Sequence, residues 1–179
     1  MTRLAALGER LESPLLVTNL TNVFYLCGFD SSNAALLVQP GGETTLYTDF
    51  RYAEAAQAVH GVTVQMTKRA LTVDVGEKLT GTVQFEADVL PYLEWERLSA
   101  GKATLVATRG IVDSVRATKD GEEVATLRKA ARIADRGLEA LTAETWVGRT
   151  ELALARERAL AEIGARPEPL PRAARAESA

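Results

Sequence analysis

The chain has 179 residues, 46% hydrophobic, 25% charged and 6% aromatic, an ordinary globular composition with enough length to bury a core. Its 21 basic and 24 acidic residues leave a net charge of −3, which excludes the basic footprint that drives nucleic-acid binding. No apolar run approaches ~18 residues, so no membrane span is expected, and the charged opening MTRLAALGERLESPLL does not read as a secretory signal.

The first predicted element is a helix. Leu4, Leu7 and Leu11 recur at three and four residues, Thr2 serves as its N-cap, and Pro14 marks the exit. A short buried strand over 15–18 follows, then LTNVFYLCGF, dense in large apolar groups and closed by Gly28. Two β-rich runs, AALLV and TTLYT, flank Gln39-Pro40-Gly41-Gly42-Glu43, whose Pro and Gly suit a hairpin turn. Asp49 is placed to cap an Ala-rich helix over 51–59. Beyond it the pattern alternates: strand 62–66, helix 71–79, strand 82–85, helix 91–98, strand 104–107. That alternation predicts an α/β fold, a mixed β-sheet with flanking helices. No Gly-rich phosphate loop follows any of these strands.

The pattern changes near residue 113. Asp120 and Glu123 stand three apart as in a capping box, and Val124, Leu127, Ala131, Ala134, Leu138 and Leu141 then repeat at 3-4-3-4-3 spacing. After a break at 145–148, a second helix over 150–163 is expected to turn Leu152, Ala155, Ala159 and Ile163 inward, completing a helical hairpin. Residues 165–179 hold Pro167, Pro169 and Pro171 with a single large apolar group, Leu170, the composition of a disordered tail.

Three segments stand in a telling order: NVFYLCGF at 22–29, YTDFRY at 47–52 and VDSVRATKDGEEVATLRKAARIAD at 112–135. Together they resemble the N-terminal half of Xaa-Pro peptidases, the aminopeptidase P, prolidase and creatinase relatives. TELALARERALAEIGA at 150–165 resembles the second helix of their "pita-bread" catalytic domain. The resemblance implies three parts: a creatinase/prolidase-type N-terminal domain over 1–112, the start of the catalytic domain as a hairpin over 113–164, and a disordered tail over 165–179.

For the family the resemblance implies a metallopeptidase that cleaves next to proline, using two divalent metal ions, often manganese. Two Asp, one His and two Glu hold them, in a long region that follows the second helix. Here the chain runs only sixteen residues past Ile163, in Pro/Arg/Ala-rich sequence unlike the family's next strand. The expectation is a truncated chain with no cofactor and no peptidase activity of its own, or half of a split or frameshifted peptidase.

The side chains bear on the same point. A two-metal hydrolase needs several carboxylates and an imidazole converging on the ions. The only histidine, His60, follows a predicted helix beside Gly61 and reads as a surface or helix-end group. The acids Glu54, Asp74, Glu86, Asp88, Glu94, Glu96, Asp113, Glu122, Glu123 and Asp135 are scattered and read as solvated or capping groups. The single cysteine, Cys27, excludes an internal disulfide and any cysteine zinc cage, reads as an inert buried thiol, and suits a reducing cytoplasm.

Of the aromatics Phe24, Tyr25, Phe29, Tyr47, Phe50 and Tyr52, most read as core, while Tyr25 or Phe29 is open to lining a ligand surface. Asp49 and Arg51 read as a cap and its partner. The resemblance gives them a second role, because the family's N-terminal domain leans over a neighbouring subunit's active site, and the polar loop Gly28-Phe29-Asp30-Ser31-Ser32-Asn33 is the segment suited to that reach. The substrate-proximal candidates are therefore Tyr25, Phe29, Asp30 and Arg51. The stripe Val124, Leu127, Ala131, Ala134, Leu138 and Leu141 is the candidate interaction face. It would serve a homodimer, a complementary catalytic half or a full-length homologue, or it folds back onto residues 1–110.

Overall fold

All three residues of β1 (Leu15–Val17) are inaccessible to solvent, and the strand separates two hydrophobic cores. Leu15 and Val17 point into one core and Leu16 into the other, the period-two alternation of a strand covered on both faces. In this computed structural model, which describes residues 2–143 and 145–164, β1 is an inner strand of a six-stranded sheet. It pairs antiparallel with β2 (Ala34–Val38) and parallel with β5 (Thr82–Glu86). β2 pairs antiparallel with β3 (Thr44–Asp49), β3 parallel with β4 (Thr63–Thr67), and β5 parallel with β6 (Thr104–Thr108). The order is β4-β3-β2-β1-β5-β6, the mixed sheet expected from the sequence. Within this sheet only β2 runs against the others. The carboxyl ends of the five other strands therefore share one edge with the start of β2.

Helices cover both faces. On the Leu15 side lie α1 (Arg3–Gly8), α2 (Leu20–Cys27), α3 (Ala53–Gln57) and α6 (Ile111–Ala117), which contribute Leu7, Val23, Ala56 and Val112 to one core. On the Leu16 side lie α4 (Leu71–Lys78) and α5 (Tyr92–Ser99), which bring Val75 and Leu98 against Tyr47, Val83 and Phe85. The hairpin turn between β2 and β3 uses Gly41 and Gly42 at φ of +89° and +93°, a region closed to most L-residues. It sits directly against α1, where Gly41 N–H donates to the Gly8 carbonyl at 3.1 Å.

Three local readings change. LTNVFYLC is a helix, α2, capped by Asn19, whose side chain accepts from Thr21 N–H, and closed by Gly28 at φ +73°. Nearly uniform apolarity hides its period, because one face meets the core while Phe24 on another is 51% exposed. The helix expected over 51–59 is instead a 3-10 turn at Phe50–Tyr52 followed by the shorter α3, and Asp49 caps the turn. Finally, Val112 and Val115 of α6 are buried in the first core. The first compact unit accordingly runs Met1–Ala117, five residues beyond the boundary read from the sequence at 112.

The second compact unit, Thr118–Ala179, is built on α7 (Gly121–Thr142) and α8 (Glu151–Ile163). The capping box is present: the Asp120 carboxylate accepts from Glu123 N–H at 2.8 Å, and the Glu123 carboxylate accepts from Asp120 N–H at 3.0 Å. α8 closes on α7 at Gly137, where a Cβ would stand 2.9 Å from Glu162 Oε1. Arg149 and Glu157 are joined by a bidentate ion pair, and the Trp146 indole donates to the Leu141 carbonyl. The inner face expected of α8 is rotated. Leu152 is 68% exposed and Ala155 and Ala159 are also exposed, whereas Ala153, Leu154, Glu157 and Ala161 are half-buried. The half-buried side of α8 thus includes Glu157, paired with Arg149, and Glu162, set against Gly137, a face that apolar periodicity does not mark. The Ile163 side chain and the tail expected at 165–179 lie outside the described residues.

Candidate functional site

The carboxyl edge of the sheet is where α/β proteins assemble sites, because loops of different strands converge there. A cleft of about 440 Å³ opens at this edge, with Arg51 and Asn33 on one side and Thr72, Glu94 and Arg97 on the other. Leu20, Leu71 and Val89 give it apolar surface.

Asp49, the last residue of β3, organises the first side. Its carboxylate accepts from Arg51 N–H at 3.0 Å, Arg51 Nε at 2.9 Å, Arg51 Nη2 at 2.7 Å and Asn33 Nδ2 at 2.5 Å. Above all the Arg51 guanidinium, then Asn33 and the Arg51 amide, hold this carboxyl well below the usual carboxylate range against the opposing effect of burial. The loop is tied at further points: the Thr48 hydroxyl donates to the Asn33 carbonyl at 2.7 Å, Ser32 N–H donates to the Tyr52 hydroxyl at 3.0 Å, and the two hydroxyls lie 2.7 Å apart. The Ser32 contacts lower the Tyr52 pKa. The GFDSSN loop and the YTDFRY run thus meet as one hydrogen-bonded unit. Its effect is to present Arg51, whose side chain remains 55% exposed, in a fixed pose. A guanidinium held through one edge keeps its other N–H groups for a carboxylate or carbonyl in the cleft.

The opposite side repeats the device. Arg97 Nη1 donates to Glu94 Oε1 at 2.6 Å, and the Thr72 hydroxyl donates to the other Glu94 oxygen. Each side therefore carries an acid–arginine pair, which suits a small polar or zwitterionic group. The residues named here include no nucleophile–base pair.

Of the four substrate-proximal candidates, only Arg51 lines this cleft. Phe29 is 2% exposed and packs edge-on to Tyr52 at 6.1 Å, so its ring supports the loop from below and is closed to a ligand. Tyr25 is half-buried between the guanidiniums of Arg3 and Arg116, at 4.3 and 5.7 Å from its ring. Asp30 is exposed on the loop, outside the cleft lining. Asn33 and Tyr52 are the partners that the sequence reading passed over. Both lie inside the segments it singled out, but their pairing joins positions 16 to 20 residues apart.

Two of the acids read as solvated or capping groups are buried, and both accept from backbone N–H groups. Asp74 is 8% exposed and accepts from the backbone N–H groups of Lys68 and Arg69 at 2.6 and 3.2 Å, and from Arg69 Nε at 2.6 Å. Glu86, also 8% exposed, accepts from Thr18 N–H, Asn19 N–H and Asn22 Nδ2 at 2.9, 3.0 and 2.5 Å. Burial pushes the Glu86 carboxyl up despite these donors. Cys27 is half-buried, and desolvation raises its thiol likewise, which keeps it unreactive. His60 is exposed beyond α3.

Such a sheet with this loop–strand constellation defines an N-terminal domain of the peptidase type, and the comparisons agree. The model of the creatinase/prolidase N-terminal domain matches residues 4–118, and the chain belongs to that family. It is 33% identical over 153 residues to the uncharacterized peptidase YqhT of Bacillus subtilis (strain 168), covering 80% of this chain and 42% of the relative. It superposes on the Xaa-Pro dipeptidase from Bacillus anthracis with a TM-score of 0.77 at 23% identity, over 90% of this chain and 47% of that one. The N-terminal domain of cytoplasmic peptidase PepQ from Mycobacterium tuberculosis H37Rv aligns at 28% identity and a TM-score of 0.58, over 63% of this chain and 97% of that domain. The chain thus spans less than half the length of the full-length relatives it matches.

Among the described residues no group of three or more His, Cys, Asp or Glu is placed to hold a metal ion. Asp49, Asp74 and Glu86 are already committed to backbone N–H groups and side-chain donors. The described part of the chain does not fit a pair of divalent metal ions.

Proposed function

We propose that this chain contributes the N-terminal domain and the opening helical hairpin of an Xaa-Pro peptidase, and that its 179 residues carry no hydrolysis by themselves. The donor set carries this reading: a two-metal hydrolase needs converging carboxylates and imidazole, and the described residues offer none. In this role the loop at residues 28–33, with Arg51 fixed behind it, shapes substrate access at the active site of a neighbouring complete subunit or a complementary catalytic half. The cytoplasm is the proposed compartment, by likeness to the cytoplasmic peptidase PepQ of Mycobacterium tuberculosis.

The test is cleavage of Xaa-Pro dipeptides and N-terminal Xaa-Pro peptides by the purified chain with added Mn²⁺ or Co²⁺, alongside elemental analysis. No turnover and no retained metal are expected. Sustained turnover with stoichiometric bound metal would overturn the proposal.

A further inference from the structure

The α7 stripe leaves Leu127 and Leu138 55% and 57% exposed, and nothing in the structure shows what covers it. The cleft at the carboxyl edge of the sheet differs, because its walls are all present. Its lining runs from Thr18 to Arg97, within the residues matched by the family's N-terminal domain. What its two ion pairs still have to offer is donors. Both oxygens of Asp49 are taken by Arg51 and Asn33, and those of Glu94 by Arg97 and the Thr72 hydroxyl. Among the described residues, Arg51 Nη1, Arg97 Nε and Arg97 Nη2 have no hydrogen-bond partner, and the two side chains are 55% and 38% exposed.

Guanidiniums with N–H groups to spare suit a planar carboxylate, which accepts two parallel bonds from such a fork. The charges of the two pairs cancel, so a bare anion gains little from the field of the cleft, and a ligand must add contact of another kind. Leu20 and Val89, 37% and 41% exposed, line the same cleft with Leu71 and Pro91 and offer that contact to an apolar side chain. We propose that the cleft binds a small monocarboxylate bearing an apolar side chain, the chemistry shared by the last residue of a peptide and a free apolar amino acid. The carboxylate is held by Arg51 and Arg97, and the side chain lies against Leu20 and Val89. This goes beyond the access role, since the first unit holds the ligand with no catalytic half present. Binding to the purified chain and the KM of a paired peptidase subunit therefore test the two readings separately.

The test titrates N-acetyl-L-leucine, N-acetyl-L-leucinamide and inorganic phosphate into the isotope-labelled full chain, followed by amide chemical shifts. N-acetyl-L-leucine should shift the amides around Leu20, Arg51, Thr72 and Glu94 saturably. The leucinamide, which lacks the carboxylate, and phosphate, which lacks the apolar body, should each bind about tenfold more weakly or worse. R51M and R97M should each weaken N-acetyl-L-leucine about tenfold, and R97M leaves the Asp49–Arg51 pair that ties the loop intact. Comparing L-leucine with the tripeptide Ala-Ala-Leu separates the two sources: tighter binding of the tripeptide assigns the site to a peptide end, tighter binding of leucine to the free amino acid. Absence of saturable shifts, equal binding of the leucinamide or of phosphate, or an R97M chain that binds like wild type would each overturn the proposal.

Discussion

Asn22 and Glu86 are 64 residues apart in sequence, yet Asn22 Nδ2 lies 2.5 Å from Glu86 Oε1 inside the first unit. The other Glu86 oxygen takes the N–H groups of Thr18 and Asn19, while Asn22 Oδ1 accepts from Arg116 Nη1 at 3.1 Å. One buried carboxylate thus joins the ends of β1 and β5, the start of α2 and, through Asn22, α6. Replacing it by Ala takes the partner from three donors, the half-buried Thr18 and Asn19 N–H groups and the buried Asn22 amide. Glu86→Ala should cost about 2–3 kcal/mol in urea unfolding, with near-native circular dichroism below the transition.

The pH dependence of stability follows from two carboxyls acting in opposite directions. The native state holds Asp49 below its ordinary 3.8, chiefly through Arg51, so its contribution is present above that value and is lost as pH falls toward the native one. Glu86 is raised above its ordinary 4.5 by burial, so its contribution favours the fold at lower pH and fades as pH rises through the raised value. Asp49→Asn should therefore lower stability at neutral pH and flatten the acid limb. Glu86→Gln should flatten the opposite slope. Thermal unfolding from acid to neutral pH separates them, and identical profiles for wild type and Asp49→Asn would refute the assignment.

Two glycines in close quarters should respond differently to alanine. A Cβ on Gly8 would stand 2.1 Å from the backbone nitrogen of Gly42, so α1 or the β2–β3 turn must move. Gly8→Ala should cost about 1–3 kcal/mol. A Cβ on Gly137 meets only the flexible Glu162 side chain, Oε1 at 2.9 Å and Cγ at 3.0 Å, which can swing aside. Gly137→Ala should gain up to about 1 kcal/mol from helix propensity. Chemical denaturation of the two variants gives both signs directly.

Arg51 should matter to access as well as to the Asp49 pair, since its side chain is 55% exposed at the cleft. Where the chain is paired with a complete Xaa-Pro peptidase subunit, Arg51→Met should raise KM with kcat nearly unchanged. A loss confined to kcat would place the residue elsewhere in the reaction.

Much of the architecture was legible in the sequence because it rests on local physics. β-rich runs marked the strands, Pro and Gly marked the hairpin turn, and Asp120 with Glu123 marked the start of α7. α2 and α6 were not, the first because its apolar residues show no period and the second because its burial comes only from the core it joins. For the site, sequence supplied the segments 28–33 and 47–52 but not the burial of Phe29, since a ring beside a polar loop looks the same whether it faces solvent or the core.

What the sequence determined by itself is the order of most elements, a net charge of −3 and the lack of any apolar run long enough for a membrane-spanning helix. The tertiary structure decided which acids are buried and which loop meets which strand. Hydrogen bonds such as Asn33–Asp49 and Asn22–Glu86 depend on strand pairing that brings distant residues together, and on desolvation that the whole fold imposes.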